Sequence, residues 1–460
     1  NIFGVRPGSP LLYTIPATGN RPIRFAVTDL PAGLEVNPNN GHITGKLNQL
    51  GTYIVTLHAS NDMGKTEKNL RIVCGDQIAL TPPMGWSSWN CFGREVTAAG
   101  IRAEADAIVS SSLIKHGWTY VNIDDGWAGL RDRNGNIMSN DNFPDMKALC
   151  DYVHSKGLKI GIYSSPGPET CAGFKGSYQH EEQDARQYAA WGFDYLKYDL
   201  CSYQQFMTNK NSIEENMKPY LLMGRCLKDQ KRDIIYSLCQ YGFAKVPEWG
   251  AKVGGNCWRT TGDIFDQWND GKEQWEHGMA TIGFSQNGLE KYASPGHWND
   301  PDMLVVGVVG WGKPRASRLT PDEQYTHMSL WSLLAASLMI GADLTKLDAF
   351  TLSLLENDEV LAINQDALGK QAACVIQDGS LRVFEKPLEN SAHAIGFFNL
   401  GENTLKLNFH QFAKLGLKDK ATVRDLWRQK DVATLDCAKD ALPLSIPGHG
   451  VFLYKFTTTD

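Results

Sequence analysis

The sequence predicts a (β/α)8 barrel set between two all-β regions, and three observations carry that prediction. Over residues 77–368, apolar strand-like segments alternate with amphipathic helical ones. Polar residues gather at the C-terminal ends of those strands, where this fold keeps its active sites. On either side, residues 1–76 and 369–460 read instead as short β-branched runs parted by turn residues.

Eight strands are read in the central region, each quoted with its last residue. They are "PPMGW" to Trp86, "YVNIDDGW" to Trp127, "LKIGIYSSPG" after Gly157, and "FDYLKYDLC" to Cys201. Then follow "DIIYSLCQYG" to Gly242, "NCWRTTGD" to Asp263, "WNDPDML" to Leu304 and "SLMIGADL" to Leu344. Helical patterns such as "IRAEADAIVSSSLIKHG" and "DMKALCDYVHSKG" separate them, except that the fifth and sixth strands are unusually close. Residues 369–460, with "LRVFEKPL", "HAIGFFNLG" and "GVFLYKF", read as an antiparallel β-sandwich. Residues 1–76 carry "LPAGL", "GHITG" and "GTYIVTLHASN", which resemble the Ig-like domains of bacterial extracellular proteins. That region shows no catalytic cluster, so it reads as a brace or spacer first and a sugar binder second.

Composition narrows the function. The formal charge of −6 is spread over both signs with no basic stripe, which speaks against nucleic acid. No apolar run approaches the roughly 18 residues of a membrane span. Ten Cys over 460 residues make no disulfide scaffold, and no pair has zinc-like spacing. The chain opens on Asn1 without a signal-like segment, which is expected of a processed form. Thirteen Trp and sixteen Tyr suit a large core or flat faces for sugars.

The strand ends offer Trp86, Asp124, Asp125, Tyr163, Lys197, Asp199, Gln240, Tyr241, Arg259, Asp263, Asp300, Asp302 and Asp343. Carboxylates dominate, without a Ser-His-Asp order or a Gly-rich phosphate loop. Such a pocket suits glycoside hydrolysis, which needs two carboxyl groups about the scissile bond. It also suits divalent-metal hydrolysis. Metal-dependent barrels usually add histidines, and none stands convincingly at a strand end, so no metal and no cofactor are expected.

"PPMGWSSWN", "NIDDGW", "KIGIYSSPGPETCAGFKGS", "DYLKYDLC", "WRTTGDI" and "WNDPDML" together resemble glycoside hydrolase family 27, the clan D α-galactosidases and α-N-acetylgalactosaminidases. The resemblance runs from about residue 80 into the C-terminal sandwich and implies a retaining double displacement. It implies Asp199 as nucleophile and Asp263 as general acid/base. Lys197 and Arg259 would then keep Asp199 ionised, and Asp263 needs a raised pKa. The retaining mechanism sets the pair about 5–5.5 Å apart. Asp124 and Asp125 would hold the 4- and 6-hydroxyls of galactose, with Trp86 as a wall near the 6-hydroxyl. Lys197 would reach the 3- and 4-hydroxyls, Arg259 the 2-hydroxyl side, and Tyr163 would donate to the nucleophile. Asp302 is expected to brace the site. Each also has a plainer reading: a turn cap for the Asp pair, charge balance for Lys197 and Arg259, a core aromatic for Trp86 and Tyr163. The resemblance further implies a Cys171–Cys201 disulfide, an oxidising compartment and, less firmly, a Cys239–Cys257 bridge beneath the sugar.

Two departures matter. Galactosidases of this family typically read Cys-Glu-Trp at the fifth strand end, the acid facing the 2-hydroxyl; here stand Cys239, Gln240 and Tyr241. Neither Gln240 nor Tyr241 is small, so an N-acetyl group should clash. Gly126 replaces a disulfide cysteine of animal relatives. The expected substrate is a carbohydrate with terminal α-galactose, cleaved outside the cytoplasm. The alternatives are a β-L-arabinopyranosidase or α-N-acetylgalactosaminidase on the same scaffold, a non-catalytic glycan-binding protein, and a metal-dependent hydrolase.

Overall fold

The computed structural model of the chain describes residues 1–271 and 277–458. Eight parallel strands form the barrel: β1 (Met84–Ser87), β2 (Tyr120–Asn122), β3 (Lys159–Ser164), β4 (Tyr195–Tyr198), β5 (Ile235–Leu238), β6 (Cys257–Arg259), β7 (Trp298–Asp300) and β8 (Leu338–Ile340). Neighbours pair in chain order from β1 to β7, and β8 returns to β1. The remaining seam is joined by a single parallel bridge, Leu304 to Ile340, beyond the end of β7. Seven of the segments read from the sequence contain one of these strands, and the first overlaps β1, which runs one residue further, to Ser87. From β2 to β8 the strands are shorter than read, because their polar tails leave the ladder and turn over the barrel mouth.

Alternation along β4 shows how a strand serves both faces. Leu196 and Tyr198 are buried, and the Tyr198 ring meets Tyr220 of the helix Ile213–Lys228 at 5.9 Å. Tyr195 points the other way and meets the ring of Tyr120 at 5.8 Å. Lys197 shares that inner face one layer higher. Space inside is tight: a Cβ on Gly161 of β3 would lie 2.1 Å from Asn122 Oδ1.

Helices cover the strands, including Ala98–Ser110, Met146–Ser155, Glu181–Trp191 and Pro321–Leu333. The last begins with Thr320 and Glu323 capping each other's backbone groups and Pro321 in its first turn. It is buried nearly throughout because it lies between the barrel and the C-terminal sheet, contacting Leu381–Pro387, His393–Asn399 and Val451–Thr458. Between β5 and β6 only two 3-10 turns intervene, which explains the short spacing in the sequence.

The N-terminal region forms a four-stranded and a three-stranded sheet around Val5, Leu11, Phe25, Ile43, Val55 and Ile72. It sits at the foot of the barrel. Arg6 Nε bonds Asp233 Oδ1 at 2.7 Å, while its terminal nitrogens donate to the carbonyls of Lys228, Gln230 and Arg232. Thr14 Oγ1 donates to Gly157 O at 2.7 Å. The C-terminal region has a six-stranded sheet backed by Leu405–Phe409 and Leu442–Ile446.

Candidate active site

The heads of β1 to β5 bring the first carboxylates together with their partners. Asp124, just past β2, takes Lys197 Nζ on Oδ2 at 2.8 Å, together with Ser87 Oγ at 3.3 Å. Its backbone N–H is held by Ser88 Oγ at 2.9 Å. Asp125 accepts Gly126 N–H on Oδ1 and Ala172 N–H on Oδ2, so it ties the loop after β3 to the mouth. Gly126 is required there: its φ is +115° and a Cβ would lie 2.9 Å from Arg94 O. Asp199, at the head of β4, is 3 % exposed. Its Oδ2 accepts Tyr163 OH at 2.8 Å, and its Oδ1 accepts Leu200 N–H at 2.7 Å and Tyr241 OH at 2.6 Å. Cys171 and Cys201 are joined and lie against both phenols.

The heads of β6 and β7 supply the second carboxylate. Arg259 reaches Asp263 Oδ1 at 3.0 Å and Asp302 Oδ1 at 3.1 Å. Asp302 also accepts Ile264 N–H at 2.9 Å, which pins the loop carrying Asp263. Asp302 holds φ +80°, a strained value for a non-glycine residue, and its own N–H is held by Asp300 Oδ1 at 2.8 Å. Asp263 is 48 % exposed and so faces the opening.

Electrostatics sort these carboxylates. Burial raises Asp199 above the ordinary range, and Lys197, Tyr241, Leu200 N–H and Tyr163 offset this only in part. Burial also acts on Asp263, but Arg259 and then Lys197 outweigh it and hold it below the ordinary range. Burial lifts Asp125 and Asp300 to about 6. Lys197 is opposed by burial, yet Asp124 leads the charges that keep it firmly protonated.

Several sequence expectations need correction. Trp86 is fully buried with its indole N–H on Ala342 O at 2.7 Å, so it forms no sugar wall. Trp89, in the short helix that follows β1, keeps partial exposure, and the strand pattern, which stops at Trp86, gives no signal for it. Gln240 is fully buried and donates Nε2 to Phe243 O at 2.6 Å, so it faces its own loop. Cys239 and Cys257 are free, buried thiols. Cys257 is level with Ser237 in the sheet, so Cys239 stands two residues (roughly 6–7 Å) higher on a strand about 4.8 Å to the side, which makes about 8 Å in all, beyond bridging reach. The charge states also differ from those expected. Arg259 serves Asp263 and Asp302, so burial raises Asp199 while the arginine lowers Asp263.

A cavity of about 1240 Å³ lies at the opposite end of the barrel against the N-terminal region and contains none of these carboxylates. A smaller one at the strand heads is lined by Asp124, Lys197, Arg259, Asp300, Asp302 and Met339.

The family model for alpha galactosidase A matches residues 81–366. The chain belongs to the alpha-galactosidase family, glycoside hydrolase family 27. The alpha galactosidase C-terminal β-sandwich model matches residues 378–456, and an Ig-domain model matches residues 2–73. Within this family, Alpha-galactosidase A of Cellvibrio japonicus is 40% identical over 395 residues, covering 83% of this chain and 93% of that protein. A Bacteroides fragilis crystal structure, provisionally designated alpha-galactosidase/melibiase, superposes with TM-score 0.93 at 37% identity. It covers 99% of this chain and 96% of that one, so the likeness includes the N-terminal region. The family's α-galactosidase from Saccharomyces cerevisiae, solved with raffinose, gives TM-score 0.75 at 26% identity, covering 83% of this chain and 98% of that one.

Proposed function

We propose that this protein is a retaining exo-α-galactosidase that removes terminal α-linked galactose from oligosaccharides or glycans. The observation that carries the mechanism is Asp199, buried at a strand head with a tyrosine phenol on each oxygen, and the half-exposed Asp263 paired with Arg259, whose guanidinium lies 5.6 Å from the centre of the Tyr241 ring. A nucleophile needs fixed geometry, and an acid/base needs access to the leaving group and to water. Asp263 protonates the glycosidic oxygen as Asp199 bonds the anomeric carbon. Water, deprotonated by Asp263, then releases the sugar. Arg259 drawn onto a sugar hydroxyl releases Asp263 from its ion pair and lets its pKa rise, as the acid role requires. Asp124 and Lys197 form a bonded acceptor–donor pair for the axial 4-hydroxyl that distinguishes galactose.

Initial rates on p-nitrophenyl α-galactoside, α-N-acetylgalactosaminide and β-L-arabinopyranoside test this reading. A fast α-galactoside rate abolished in Asp199→Ala is expected. Preference for either other glycoside, or no turnover at all, would sink it. The Cys171–Cys201 bridge supports action in an oxidising, extracytoplasmic compartment. Finding both as free thiols in the native protein would remove that support.

A further inference from the structure

The fifth strand end reads Cys239-Gln240-Tyr241-Gly242, and its geometry is unusual. Tyr241 has φ +64°, a left-handed conformation that costs energy for any residue but glycine. Gly242 follows at φ +86°, where a Cβ would lie 2.2 Å from Thr260 O. This turn buries Gln240 and swings the phenol of Tyr241 onto Asp199.

The two oxygens of Asp199 are then unequal. Oδ1 accepts two donors, Tyr241 OH and Leu200 N–H. Oδ2 accepts Tyr163 OH. A carboxylate oxygen has two lone-pair directions, so Oδ1 is filled and Oδ2 keeps one to offer.

We propose that Tyr241 is a positioning residue for the nucleophile: it fixes Oδ1, leaves Oδ2 to attack, and supports the carboxylate as it departs in the second step. This rests on the retaining α-galactosidase reading above. In the first step Oδ2 bonds the anomeric carbon as the glycosidic C–O bond breaks, and the leaving oxygen takes the proton of Asp263. In the second, a water oxygen bonds that carbon and its proton passes to Asp263. The C–Oδ2 bond breaks and its electron pair returns to Asp199. Charge therefore grows on the carboxylate in the second transition state. A donor on Oδ1 is stronger there than in the covalent ester, so it accelerates that step.

The groups facing Asp199 are Lys197 on its own strand, Tyr163 from β3, Tyr241 and Cys239 from the β5 end, and Tyr220, whose hydroxyl bonds the Asp199 carbonyl at 3.0 Å. Burial raises the carboxyl, and among the opposing groups Tyr241 ranks next after Lys197. Removing the phenol hydroxyl therefore raises Asp199 further.

The test is Tyr241→Phe, which keeps the ring. With p-nitrophenyl α-galactoside, kcat should fall about 10- to 100-fold, the scale of a hydrogen bond to a charged group. KM should fall with it, a burst of nitrophenolate should appear, and the acid limb of kcat/KM should move to higher pH. A lower kcat with unchanged KM and no burst would overturn the second-step role. Carboxyl 13C NMR titration, with Asp199→Asn to assign the resonance, needs no turnover. A higher Asp199 pKa in Tyr241→Phe than in the native protein supports the clamp, and an unchanged one overturns it. If the native protein does not cleave the galactoside, the functional reading fails, and the titration still decides the clamp.

Discussion

Asp194 and Asp199 lie five residues apart on the same barrel strand segment, one at its foot and one at its head, and their surroundings push them in opposite directions. Asp199 is buried and Asp194 largely so, and loss of solvation raises both. At the foot, Asp194 accepts His154 Nε2 at 2.7 Å, Arg232 Nη2 at 2.7 Å and Ile160 N–H at 3.0 Å, and His154, then Arg232 and Lys159, bring it below the ordinary carboxylate range. At the head, Asp199 has one lysine nearby, two phenols and one amide, and remains above that range. A carboxylate that holds the fold is over-compensated by cations. One that must form and break a bond is held in place by neutral donors and left short of charge compensation.

Substitution at the two positions should therefore separate activity from stability. Asp199→Asn should lower kcat by roughly four orders of magnitude while leaving the thermal midpoint unchanged or higher, since it removes an under-compensated buried charge. A lowered midpoint would break the comparison. Asp194→Asn should do the reverse, costing about 3 kcal/mol in urea unfolding because Arg232 and His154 lose their partner. Specific activity of the folded fraction should hold. The pH dependence sharpens this further. With its folded pKa depressed, Asp194 contributes stability that is present above about pH 4, its unfolded range, and is lost as pH falls through the folded value. Asp194→Asn should flatten that acid loss; an unchanged acid slope would show that another carboxylate carries it. The smallest effect is expected from Arg6→Ala at the same foot. Losing its bonds to Asp233 and three carbonyls should cost about 1–2 kcal/mol with no change in KM.

What the sequence disclosed follows the same division. The barrel strands were legible because each apolar run ends in polar residues at its head, as "FDYLKYDLC" does in Lys197 and Asp199. The juxtaposition of Asp124 with Lys197, and of Tyr163 with Asp199, joins residues on neighbouring or next-neighbouring strands that motif order alone brings together. The errors lie where backbone torsion decides. Nothing in "CQYG" announces that Tyr241 adopts a left-handed φ, yet that single torsion turns Gln240 inward and sends the phenol to the nucleophile. Cys239 and Cys257 look pairable until sheet register sets them in different layers. Counting nearby cations does not reveal that Arg259 is already shared between Asp263 and Asp302, which decides the charge states.

The seam between β7 and β8 has a consequence in time. Other neighbouring strands share at least two paired positions, whereas Leu304 and Ile340 alone close this one, with Leu304 N–H on Met339 O and Gly341 N–H on Leu304 O. So short a ladder opens at lower free energy than the rest of the barrel, and those two amides should exchange with solvent deuterium ahead of the amides of β3 and β4. Asp302, which pins the Asp263 loop, lies two residues before Leu304. The wall that opens first therefore carries the residue that pins the loop of the acid, while the nucleophile stands on strands that stay closed.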